Sequence, residues 1–191
     1  MGMRVVDKAQ EIPLERFLAF DKVYDFAPHP SGKSVAVGID TSGQLNVWLY
    51  GVGALPRRIT PFTERRAMPI AWDYEGKKLL FASDFQGNEM WELHVYSEES
   101  RWFYDVAVED SVVHMAFSYC WSPDGSSKFV YMANKEDKTR FDLYLRDLER
   151  GTDELLIEGL GGFQSPYSVS YTHLRAHETE ADLVCRLLLE K

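Results

Sequence analysis

A chain of 191 residues that is 45% apolar and 14% aromatic can bury one domain core, which excludes global disorder. Its net charge of −9 argues against nucleic acid or an anionic membrane as a partner, because both reward clustered Lys and Arg; the one basic cluster, Arg57-Arg58 with Arg65-Arg66, is too short to reverse this. No run approaches the ~18 consecutive apolar residues of a membrane span, and two cysteines, Cys120 and Cys185, make no disulfide framework.

Residues 1–22 read as a lead-in. "MGMRVVDKAQEIPLERF" carries charges throughout and lacks the apolar core of a signal peptide, so the chain is expected to be cytoplasmic. Met1-Gly2 is followed by Arg4, Val5 and Val6, with no Ser or Thr where a myristoylation motif asks for one. "IPLERFLAF" predicts a short helix, with Pro13 suited to a first turn.

From residue 23 the chain repeats. The first unit, about 23–62, contains "APHPSGKSVAVGIDTSGQLNVWLYG". The second, about 67–108, contains "AWDYEGKKLLFASDFQGNEMWELHVYS". The third, about 112–158, contains "CWSPDGSSKFVYMANKEDKTRFDLYLRD". Each has a turn glycine (Gly32, Gly76, Gly125), an apolar run, a polar loop and an alternating strand. The glycines lie 44 and 49 residues apart; Trp48, His94 and Tyr144, at one position of the alternating strand, lie 46 and 50 apart. In "SPDG" and its variants "HPSG" and "DYEG", Pro or an equivalent sets the start of the turn, and Gly supplies the left-handed residue that closes a hairpin. A unit of this length fits four short strands, so the fold class expected is all-β: an incomplete β-propeller of about three four-stranded antiparallel blades. Residues 163–168 would begin a fourth blade. A closed ring needs at least four blades, so 23–168 is expected to be part of a larger ring with open edges and poor solubility.

The third unit, continued as "LERGTDELL", resembles the Ser-Pro-Asp-Gly repeat of TolB-type propellers and of the N-terminal domains of prolyl oligopeptidase-family serine peptidases, including acylaminoacyl peptidases. The resemblance covers roughly residues 23–168. The charged N-terminus running straight into blade one is more similar to the peptidase branch. That branch implies a following α/β-hydrolase domain with a Ser-Asp-His triad, to which the propeller restricts the access of peptides. No Gly-x-Ser-x-Gly elbow occurs in the chain. No catalytic residue is therefore assigned, and no cofactor or metal ligand either. The function expected is that of a substrate-gating propeller domain separated from its hydrolase partner, with peptides as the parent's substrates. The alternative is a non-enzymatic TolB- or WD-type binding scaffold.

Where a fourth Pro-Asp-Gly should stand, the chain has Tyr171, Thr172 and His173. Val169–Thr179 and Leu183–Lys191 resemble, letter for letter, the two constant parts of a translated sequencing adapter, with the variable index between them. Residues 169–191 are therefore read as non-native. Their apolar spacing, Leu183 with Leu187 and Val184 with Leu188, would suit a helix.

Among single residues, His29, His94 and His114 match no zinc spacing, and His94 reads as a packing residue. Cys120 reads as a small buried thiol on an inner strand. Glu98-Glu99 and the "WDYEG" run fall on hairpin loops, away from any paired-acid clamp. Trp72 and Trp121, at one repeat position, read as core between blades. Arg65-Arg66 read as part of a solvated loop joining blades one and two.

Overall fold

The computed structural model describes residues 22–41, 43–118, 120–125, 127–159, 164–169 and 173–178. The expected N-terminal helix and most of the expected C-terminal helix lie outside them. His177 and Glu178, which fall inside, belong to a strand.

Three antiparallel four-stranded sheets follow one another along the chain. Blade 1 comprises β1 (Lys22–Pro28), β2 (Ser34–Asp40), β3 (Asn46–Gly51) and β4 (Arg57–Arg58). Blade 2 comprises β5 (Arg65–Trp72), β6 (Lys78–Phe85), β7 (Glu92–Ser97) and β8 (Trp102–Ala107). Blade 3 comprises β9 (His114–Met115), β10 (Lys128–Ala133), β11 (Asp142–Asp147) and β12 (Thr152–Ile157). A hairpin of β13 (Gln164–Val169) and β14 (His173–Glu178) follows, so the strand expected to open a fourth blade pairs with part of the adapter-like segment. The architecture is all-β, three blades of a β-propeller, with no helix among the described residues.

The repeat is exact in register. Ser34, Lys78 and Lys128 open the second strand of each blade opposite Gly51, Ser97 and Asp147, which places Trp48, His94 and Tyr144 at equivalent positions. Gly32, Gly76 and Gly125 adopt φ of +68°, +70° and +76° in the turns before those strands. Such backbone suits glycine because a side chain there meets the carbonyl.

Strand alternation divides blade 2 between two cores. In β6, Leu79 and Phe81 face blade 1, packing with Ala36, Val47 and Tyr96, whereas Leu80 and Ala82 join the core shared with blade 3. Leu79, Leu80 and Phe81 are fully buried, each worth roughly 1.5–3 kcal/mol by transfer from water. A blade cannot bury both faces alone, and the cores therefore lie between blades.

Two local expectations change. Arg65 and Arg66 open strand β5 instead of lying in a solvated loop, because acidic partners in the same sheet hold them: Arg65 pairs with Glu92 of β7, across β6, and Arg66 with the fully buried Asp84 of β6. The inner strand of blade 3 is reduced to β9 and a single bridge between Trp121 and Phe129, so Cys120 sits in irregular chain beside that bridge.

Candidate functional site

The first strands of blades 1 and 2, with the segment that follows the first strand of blade 3, border a common cleft of about 510 Å³. Strand β1 supplies Asp25, Phe26 and Pro28; β5 supplies Ile70 and Trp72, with Asp73 and Tyr74 just beyond; the segment after β9 supplies Ser118 and Trp121. Phe26 is 62% exposed and Tyr74 51%, so the wall offers aromatic surface to solvent. Both carboxylates are anchored by main-chain amides: Phe26 N–H donates to Asp25 Oδ1 (2.7 Å), and Lys77 N–H to Asp73 Oδ1 (2.7 Å). The volume lies within the range of small-ligand clefts.

Trp72 and Trp121 hold the equivalent positions expected of them and are buried at the joints between blades. Trp121 Nε1 donates to the carbonyl of Ala71 in the preceding blade, 3.0 Å away. Trp72 Nε1 has no hydrogen-bond partner among the described residues; at its joint His29 lies edge-on to the Trp72 ring and donates from Nε2 to the carbonyl of Gly76 (2.9 Å).

The three histidines lie in three places: His29 in the β1–β2 turn, His94 in β7 and His114 in β9. Among the described residues no three His, Cys, Asp or Glu side chains converge on a point that could hold a metal. Cys120 is buried, and burial pushes its thiol up to about 12, so the nucleophilic thiolate is suppressed. Glu98 lies in the β7–β8 turn, 3.6 Å from Arg57 of blade 1.

One constellation escaped the sequence. Ser83 Oγ is 2.8 Å from His94 Nε2, and His94 Nδ1 is 2.8 Å from Asp105 Oδ1. The connectivity is that of a Ser-His-Asp triad. It forms because β6, β7 and β8 are neighbours, each contributing one residue. Ser83 is fully buried and His94 is 3% exposed, with Phe81 stacked on the imidazole and Phe103 at its edge. A substrate carbonyl has no route to Ser83, so the chain of hydrogen bonds ties three strands together. Burial lowers the His94 pKa against the pull of Asp105, and the neutral ring donates from Nδ1 and accepts at Nε2. Only register, which sets Asp105 opposite His94 and Ser83 diagonally across from it, two residues beyond His94's partner Phe81, reveals it.

A second polar cluster lies at the same end of blade 3. Lys135 bridges Glu109 (2.7 Å) and Asp153 (2.9 Å) above the rings of Tyr131 and Tyr144. Burial opposes its charge, but hydrogen bonds to Glu109, Tyr131 and Asp153 raise its pKa overall. The cluster fastens the connection between blades 2 and 3 to β12.

No protein-family model matches the chain, and no curated protein sequence matches it. Solved structures do. A TolB-type structure from Agrobacterium tumefaciens matches 75% of the chain at 14% identity, with a TM-score of 0.57. An oligogalacturonate lyase in complex with manganese matches 82% at 15% identity, with a TM-score of 0.61. A prolyl endopeptidase matches 80% at 11% identity, with a TM-score of 0.57. The chain spans 48%, 46% and 23% of those proteins respectively, less than half of each. At such identities the likeness shows the fold: a TolB-like β-propeller domain. No described helix is long and apolar enough to cross a membrane.

Proposed function

We propose that this chain is the substrate-admitting propeller domain of a cytosolic serine peptidase of the prolyl oligopeptidase family, with acylaminoacyl peptidases as the branch in view. The observation that carries the reading is the cleft bordered by β1, β5 and the segment after β9, so that all three blades contribute to it. Its aromatic wall and two anchored carboxylates suit a short extended peptide, which would be admitted by size before reaching a triad on a separate α/β-hydrolase domain. The structural likeness to a prolyl endopeptidase supports the same reading, although a propeller alone hosts many functions. The domain itself acts sterically. Purified alone, it is expected to give no turnover of a peptide nitroanilide, and turnover retained through purification to homogeneity would overturn this.

The second reading is a non-enzymatic binding scaffold of the TolB or WD type, supported by the likeness to a TolB-type structure. Long-read sequencing of the source locus across the Ser168 codon separates the two. Further blades followed by a serine elbow in frame support the peptidase; a complete ring followed by a stop codon supports the scaffold.

A further inference from the structure

The outermost strands of the three blades differ in how they treat solvent. A free strand edge presents unpaired N–H and C=O groups to any passing strand, and proteins usually blunt it with charge or brevity. Strand β4 is two residues long. Strand β12 carries Thr152 and Glu154 at the register positions where β8 carries Trp102 and Tyr104. Strand β8 is six residues long, Trp102 is 60% exposed and Tyr104 44%. The sole carboxylate of β8, on Asp105, has Oδ1 engaged by His94.

We propose that β8 is the contact through which two copies of this chain associate, pairing edge to edge and antiparallel about a two-fold axis at Phe103. In that register Trp102 of one copy faces Tyr104 of the other, twice over, giving aromatic cross-strand pairs. Arg101, the turn residue immediately before β8, has a left-handed backbone (φ +55°) and stands outside the ladder, at the strand end nearest Asp105 of the second copy. Arg101 is exposed and makes no salt bridge among the described residues, so its long side chain can reach that carboxylate. The strand is thus self-complementary in both charge and apolar surface, as an isologous interface requires. Joining two edges makes an eight-stranded sheet from two blades. A contact of one strand is small for a stable interface, so a concentration-dependent equilibrium is expected, not a permanent dimer.

Sedimentation equilibrium over a range of chain concentrations tests this. The expected mass rises from 22.0 kDa toward about twice that value. R101E brings an acid to the strand end beside Asp105 of the second copy and should weaken association by about tenfold or more. W102T/Y104E, which copies the equivalent residues of blade 3, should leave a monomer. R101E alters an exposed side chain before the strand and should melt as the wild type does, so a loss of dimer would not reflect unfolding. A wild type that remains monomeric overturns the proposal, as does an assembly that survives both variants.

Discussion

His94 and His114 are both buried, and burial lowers the pKa of each below 6.5. In the unfolded chain both take up a proton near pH 6.5. Their contribution to stability is therefore complete above that pH. It falls as the pH drops from there through the folded values, by up to about 1.4 kcal/mol per pH unit for each histidine. Carboxylates held down by Lys135, Glu109 and Asp153, act only at lower pH. Urea midpoints measured at pH 8, 6.5 and 5.5 should show the loss beginning near 6.5. H94Y, which installs the residue blade 3 uses at this position, should remove one histidine's share of the slope while lowering the plateau. A profile flat from pH 7 to 5 would contradict the assignment. Cys120 offers a second check. With its thiol pushed up to about 12, alkylation at pH 8 should be at least about a hundredfold slower in the native chain than in urea, read on the Cys120 peptide by mass spectrometry.

At the scale of turns and strands, two equivalent glycines should respond differently to the same change. Gly76 and Gly125 share a left-handed backbone. A Cβ on Gly76 would collide with the His29 ring of blade 1, whereas at Gly125 the nearest atom is Glu75 Oε1, 3.9 Å away. G125A should cost about 1 kcal/mol, and G76A roughly 1–2 kcal/mol more because the joint between blades must open. The double variant H29A/G76A should recover part of that excess in thermal melts. Asn46 illustrates a different device. Fully buried, its Oδ1 accepts from Thr60 Oγ1 (2.8 Å) and Phe62 N–H (3.1 Å), fixing the chain as it leaves blade 1. Asp142, at the equivalent position, accepts from Gly159 N–H (2.8 Å) as the chain leaves blade 3. N46A should cost about 2–3 kcal/mol in denaturant melts, since it strands buried donors. The glycines and the paired tryptophans were legible in the sequence because each acts within its own turn or at a fixed repeat position. The partners of Arg65 and Arg66 were not, because the acids holding them lie 27 and 18 residues away on other strands. The cleft was also hidden, since its wall draws on three blades.

At the scale of the molecule, blade 2 lies between two cores and blade 1 has one outer flank in water. Strand β1 is exposed at six of seven positions, whereas β6 is buried at six of eight. Amide exchange should be slowest in β6 and β7 and faster by about a hundredfold or more in β1, as expected when local opening costs less than global unfolding. Equal protection in the two would contradict blade-by-blade packing. The joint at Trp121 has a wider consequence. Its indole donates to the main-chain carbonyl of Ala71, a group every residue possesses. The preceding blade therefore needs no particular side chain at that point to be recognised. A joint so indifferent to its neighbour's sequence lets blades be copied, inserted or exchanged by gene duplication without a compensating change next door.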